Sequence, residues 1–281
     1  MHKSIMINEL TKFIDINPNG LYVDSTFGIG GHSKEILKYL NLKSKLFIFD
    51  KDFISYCYAK NIFLNDKRVN FFFSSFENIN HFFNKENYLD GIICDLGLSL
   101  DQLRDKSKGF GFKSDGFLDM RVNFFYPFRI IDWFNLATEK DLNCFFNLFY
   151  NKKYIFKIVK KILIYRKFKV IKTTRELCNI IFTTNVLNKN KILTKFFHFA
   201  RVFINNDFFL LICFLEKCLN LLKSGGILIL LSFNSFDDNI IKNFIFKNEN
   251  KIKFMTFKPS IFEIDFNLSS RSALMQIIKK L

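Results

Sequence analysis

In the first hundred residues, apolar positions fall into short solid runs separated by stretches where they recur every three or four residues. The solid runs cover residues 21–24 after the turn Asn17-Pro18-Asn19-Gly20, then 45–50, 69–73 and 90–95, and each has the length of a buried strand. Residues 33–40 and 52–63 carry helical spacing, with Ser33 or His32 near the cap of the first. Strands alternating with short helices predict a parallel sheet covered on both faces, an α/β fold.

The pattern changes near residue 106. A glycine-containing stretch is followed by helical spacing over 130–137, 139–149, 153–166 and 174–182, with Thr173 or Thr174 as N-cap of the last. No strand alternates with these helices, so residues 106–193 read as an all-helical insertion. The α/β pattern then resumes. A helix over 206–222 leads to the turn Ser224-Gly225-Gly226 and a buried strand at 227–233. A helix over 237–246 and two strands at 251–257 and 272–278 follow. Residues 1–105 and 194–281 are therefore expected to form one discontinuous domain.

Composition narrows the classes. The chain has 281 residues, 49% of them apolar, enough for a sizeable core. No secretory signal is visible at the start, and the most apolar stretch, 208–222, is broken by Glu216 and Lys217. The six cysteines form no CxxC pair and sit among Ile, Phe and Leu. They read as small buried hydrophobes of a reducing, cytoplasmic compartment, and no metal site is expected. The net charge of +16 points to an anionic partner, with nucleic acid the usual one and no membrane. Codon bias is the competing explanation, because Phe, Lys, Asn and Ile are all heavily used.

The sharpest chemical signal is Asp24-Ser25-Thr26-Phe27-Gly28-Ile29-Gly30-Gly31-His32-Ser33, with Asp50 ending the next strand. Glycines let a ligand approach the backbone, a helix N-terminus favours an anionic group, and a strand-end acid accepts ribose hydroxyls. A nicotinamide dinucleotide would want glycine where Ser33 stands. S-adenosylmethionine needs instead an acid for its ammonium, which Asp24 could be. An ordinary strand–helix turn with Asp24 capping the loop is the plain alternative. Asp95 ends the fourth strand, so three acids should converge at one end of the sheet.

The runs DSTFGIGGHS, CDLGLSLDQL, GFGFKSDGFLDMRV and FNSFDD resemble the bacterial small-subunit ribosomal RNA methyltransferase H family, also called the MraW family. The resemblance runs from His2 to Ser272 and includes Thr173-Thr174-Arg175-Glu176-Leu177, Arg201 with Asn205, Lys258-Pro259 and Arg271-Ser272-Ala273. It implies a Rossmann-like S-adenosylmethionine-dependent methyltransferase domain interrupted by a helical substrate-recognition domain. It implies N4-methylation of a cytidine at the ribosomal decoding centre. The substrate would be small-subunit rRNA within an assembled or nearly assembled particle, and dimers are among the family's states. Carried over position by position, the family's cofactor contacts fall on Gly30, Gly31, His32, Asp50, Phe76, Asp95 and Gln102. Phe76 would pack against adenine, with a core Phe as the alternative.

The chain departs from the family pattern at Asn151-Lys152-Lys153, Asn234, His198 and Asp101, and in a short segment between Phe246 and Lys258. These departures bear on substrate handling and stability more than on the cofactor loop. For the reaction, Asp95 or the backbone carbonyls of residues 96–99 could accept hydrogen bonds from the target amine and later its proton. Phe110 and Phe112 are candidates to stack on RNA or to anchor the inserted domain. The basic helix over 152–169 suggests phosphate contacts.

Overall fold

Four of the apolar runs become parallel strands. The computed structural model describes residues 4–83, 88–99, 102–103, 105–148, 152–182 and 189–281. Strands β1 (Leu21–Asp24), β2 (Lys45–Asp50), β3 (Val69–Phe73) and β4 (Leu89–Asp95) join β5 (Leu222–Ser232), β6 (Ile252–Phe257) and β7 (Leu274–Lys280). The seven-stranded order is β3-β2-β1-β4-β5-β7-β6. Strands β1 to β5 pair in parallel, and β7 runs antiparallel between β5 and β6. This mostly parallel, Rossmann-like sheet is the α/β architecture that the sequence led us to expect.

Both faces of the sheet are covered, which is why its strands read as unbroken hydrophobic runs. The period of two divides each strand between two cores. Val23, Ile92, Cys94, Leu228 and Leu230 pack on one side. Tyr22, Ile93, Ile227, Ile229 and Leu231 pack on the other. Each fully buried Leu or Ile contributes about 1.5–3 kcal/mol of burial free energy. One detail departs from the reading at 224–226. Strand β5 starts at Leu222, and its register jumps from Leu89↔Leu222 to Gly91↔Ile227. The expected turn is a bulge within the strand, formed around Gly225 at φ 81.

The chain divides into two compact units, Met1–Gly97 with Phe208–Leu281, and Leu98–Asp207. Helices α1 (Ile7–Phe13), α2 (Gly31–Leu37) and α3 (Phe53–Ile62) belong to the first unit. The second contains α4 (Ile130–Leu136), α5 (Glu139–Asn147), α6 (Lys152–Phe168), α7 (Thr174–Phe182) and α8 (Lys189–Asn205). After it come α9 (Asp207–Leu221), α10 (Ser235–Lys247) and α11 (Ile261–Phe266). The second unit is thus wider than residues 106–193. The difference is mostly α8, which the sequence reading did not assign. Its Leu193, Phe196, Phe197 and Ala200 recur at helical spacing and are buried in the second unit's core. The expected end of α5 at residue 149 falls outside the described residues, as do Asn151 and Asp101 among the family departures.

The long GFGFKSDGFLDMRV run scaffolds this second unit. Gly109 sits at φ 62, and a Cβ there would lie 2.1 Å from the carbonyl oxygen of Phe117. A Cβ on Gly116 would meet the Lys106 carbonyl oxygen at 2.3 Å. The Thr174 hydroxyl accepts from the Gly116 N–H (3.0 Å) and donates to the Ser114 carbonyl (3.1 Å). The buried Asn205 amide bridges the run, accepting from the Val122 N–H and donating to the Met120 carbonyl, each at 2.8 Å. Arg201 donates to the Phe110 carbonyl at 2.9 Å. The separate TTREL and Arg-Asn motifs are therefore the partners that hold this run in place.

Candidate active site

Asp24, Asp50 and Asp95 end three adjacent strands. The register pairs Asp24 with Ile48 and Ile93, so Asp50 and Asp95 each reach two residues further along the sheet. Asp24 lies deepest, at 1% exposure. Its carboxylate accepts from the Ser33 hydroxyl at 2.5 Å and from the Thr26 N–H at 3.3 Å. Burial raises its pKa, and the Ser33 hydrogen bond opposes that rise. With both oxygens engaged inside the protein, Asp24 organises the glycine loop, as the plain alternative had it.

Asp50 is half-buried and holds the next turn. One oxygen accepts from the Gly28 N–H at 2.9 Å, and the other from the Asp52 N–H at 2.7 Å. Burial pushes its carboxyl up to about 6, with the charges of Asp52 and Asp24 adding to the rise. Each oxygen keeps a further lone pair, so the group can still accept from a diol.

The loop owes its shape to glycine. Gly28 and Gly30 have φ of 57 and 77, in the left-handed region. A Cβ on Gly30 would lie 2.4 Å from the Phe27 ring, and one on Gly31 would lie 1.7 Å from Ser4 Oγ. At Gly28 a Cβ would meet nothing within 4 Å, so the loop faces open space there. Gly30 is the N-cap of α2, two to three residues before the cap expected at His32 or Ser33. The glycine conformation starts the helix early and draws His32 and Ser33 into its buried first turn.

His32 is 5% exposed. Its Nε2 lies 3.0 Å from the Ile5 carbonyl oxygen, which can only accept, so Nε2 carries a proton. Its Nδ1 faces Asp95 Oδ2 at 3.8 Å. The Asp95 N–H donates to Thr26 Oγ1 at 2.6 Å, which ties β4 to the glycine loop. The Asp95 side chain keeps 30% of its surface open.

The remaining expected positions lie elsewhere. Phe76 opens the 3-10 turn Phe76–His81 just beyond β3 and is 7% exposed, its ring edge-on to Phe214 at 5.0 Å. It serves first as a core ring. Gln102 belongs to the second unit. There its Oε1 accepts from the Ser99 N–H (3.0 Å) while its own N–H donates to Ser99 Oγ (3.1 Å). Phe110 is fully buried, and Phe112 packs on Phe197 at 5.6 Å, so both are core residues of the second unit and Phe110 has no face for RNA. Asn234 caps α10, accepting from the N–H groups of Phe236 (3.0 Å) and Asp237 (3.1 Å). This departure from the family pattern supplies a favoured N-cap and costs the helix nothing.

The site therefore combines an open glycine turn with two accessible carboxylates and a third buried beneath them. Such a surface suits a ligand with a diol and positive charge, and S-adenosylmethionine has both. The sequence profile of the MraW methylase family matches residues 1–281. The ribosomal RNA small subunit methyltransferase H of Wigglesworthia glossinidia brevipalpis is 36% identical over 308 residues, covering 100% of this chain and 99% of that one. The protein of the same name from Legionella pneumophila (strain Paris) is 36% identical over 304 residues, covering 100% and 99%. That from Vesicomyosocius okutanii is 36% identical over 305 residues, covering 99% and 98%. By end-to-end match of profile and relatives alike, the chain belongs to the MraW methylase family.

Proposed function

We propose that this protein, an S-adenosylmethionine-dependent ribosomal RNA methyltransferase by family, methylates N4 of one cytidine near the decoding centre of small-subunit rRNA. The observation that carries the reading is the trio of strand-end carboxylates around the glycine turn, in a chain matched along its whole length by small-subunit methyltransferases. S-adenosylmethionine supplies an electrophilic methyl carbon on a sulfonium. The residues Gly28 to His32 shape the turn that would hold it, with Asp50 accepting from its ribose hydroxyls. Phe76 is the further contact carried over from the family within the same unit.

Cytosine N4 is a weak nucleophile because its lone pair is delocalised into the ring. Asp95, 30% exposed and tethered through Thr26, would accept a hydrogen bond from that amine. An amine that takes up a methyl group must shed a proton, and the Asp95 carboxylate would accept it. Two substrates must be aligned, so positioning supplies much of the acceleration. The helical unit serves in this reading as the substrate-recognition domain, acting in the cytoplasm on an assembled or nearly assembled particle. A homodimer is compatible with this reading.

The test is mass spectrometry of small ribosomal particles incubated with the protein and the methyl donor. One added methyl on a single cytidine, absent with Asp95→Ala, is the expected result. No gain from a preparation that still binds the donor would remove the cytidine assignment.

A further inference from the structure

Five aromatic residues of the second unit are partly exposed within one short segment. Phe117, Phe124, Phe125, Tyr126 and Phe128 are 37–61% exposed. Single exposed apolar residues are ordinary, but a contiguous group marks an interaction surface. The segment is held in shape. Arg121 grips Asp119 through Nε and Nη2 at 2.6 and 2.7 Å, and it donates to the carbonyls of Phe124 (2.9 Å) and Tyr126. The Phe125 N–H donates to Asn123 Oδ1 at 3.0 Å. The Phe124 and Phe125 rings lie 4.3 Å apart at 30°.

Cations border these rings. The Arg129 guanidinium sits 5.7 Å from the Phe117 ring centre. Phe117 bridges to Thr173, whose chain neighbours include the exposed Lys172 and Arg175, with Arg175 paired to Asp115 at 3.5 Å and Arg129 to Asp132 at 2.8 Å. Charge is also unevenly shared along the chain. Residues 98–207 contain 21 Lys and Arg against nine Asp and Glu, a net +12 of the chain's +16. Genome-wide codon bias would load both units alike, so this asymmetry speaks for an anionic partner of the second unit.

Flat rings in a cationic field recognise unstacked bases, because every base has a π-face and every nucleotide a phosphate. We propose that Phe117 to Phe128 form a base-stacking platform for a single-stranded stretch of RNA. The proposal rests on the ribosomal RNA methyltransferase reading and gives that reading a contact surface. A protein or lipid partner would use the apolar area of the same rings, but would have no need of their planar π-faces.

The test uses the full chain and a fluorescein-labelled short oligouridylate. Replacing Phe124, Phe125 and Tyr126 by Leu keeps apolar area and removes the π-faces. The expected result is at least about tenfold weaker binding, with an unchanged salt slope because no phosphate contact is lost. Unaltered circular dichroism and S-adenosylhomocysteine binding would show that the fold survives. Phe124→Trp with Phe125→Trp should retain affinity, with tryptophan emission quenched by RNA. That second measurement decides the question if the Leu variant does not fold. Unchanged affinity in the Leu variant, or no quenching in the Trp variant, would overturn the proposal. So would a loss of self-association or vesicle binding with RNA affinity intact. Wild-type protein that stacks oligouridylate but methylates no rRNA would remove the proposed function and leave the platform. Methyl transfer with no effect of Leu would do the reverse.

Discussion

His32 Nδ1 faces Asp95 Oδ2 at 3.8 Å while the opposite ring nitrogen is held by the Ile5 carbonyl. With Nε2 donating to that carbonyl, Nδ1 is the ring atom turned toward Asp95, and the imidazole and the carboxylate form one polar pair at the end of β4. Asp95→Asn removes the acceptor but keeps the shape. Its methyl-transfer rate constant is expected to fall at least about a hundredfold, the usual scale for a general base. Donor affinity should fall less. Single-turnover kinetics and calorimetry measure the two separately, and equal losses in both would reduce Asp95 to a binding residue.

Donor affinity should depend on pH through Asp50. Burial raises this carboxyl to about 6 in the folded protein, above its ordinary 3.8. The ligand-free fold therefore loses stability as pH rises from about 4 to about 6 and levels off beyond. A cationic ligand favours the ionised form, so binding should tighten over pH 5 to 7 and then flatten. Calorimetric titration across that range should show the slope in wild type and a flat profile in Asp50→Asn. A slope that survives in the variant would assign the titration to another group.

Asn205→Ala should destabilise without touching the donor site. The side chain satisfies the Val122 N–H and the Met120 carbonyl inside the second unit. Removing it strands two buried backbone groups, at a cost of about 2–4 kcal/mol. Thermal melting should drop by several degrees while S-adenosylhomocysteine affinity holds. A melting curve like that of wild type would show that water replaces the amide.

His198 is half-buried on α8, beside Arg201. Burial, followed by the neighbouring Arg201 charge, lowers it to about 4, with Asp207 opposing. Its folded value lies below the ordinary 6.5, so the unfolded chain takes up its proton first and stability is lost as pH falls from about 6.5 to about 4. His198→Gln should flatten denaturant midpoints over that window. Equal slopes in both proteins would assign the acid sensitivity elsewhere.

The sheet was legible because its strands are buried on both faces and show as solid apolar runs bounded by turns. The glycine loop was legible because positive φ leaves few residues to choose from. Helix α8 was missed because 189–205 lies among segments of similar composition, so the spacing of Leu193, Phe196, Phe197 and Ala200 does not stand out, although Asn188 is a favoured capping residue just before it. The roles of individual aromatics were not legible. In a chain with 40 Phe, flanking lysines singled out Phe110, which is buried, while Phe124 and Phe125 carry no local mark of their exposure. Likewise, no spacing rule told that the Asp24 carboxylate would be spent on Ser33 and Thr26 while those of Asp50 and Asp95 keep room for a ligand.

Strand β7 lies between β5 and β6 although it is translated after both. A nascent chain emerging from the ribosome can assemble β1 to β5 but leaves the flank of β5 open. Strand β6 then has no hydrogen-bonded neighbour, since β7 is its only partner in the sheet. The edge seals only when residues 274–280 have cleared the exit tunnel and slid into the gap. Completion of this sheet thus waits for the last-translated of its strands, and the interval before it is when an unpaired edge is most open to chaperones or to aggregation.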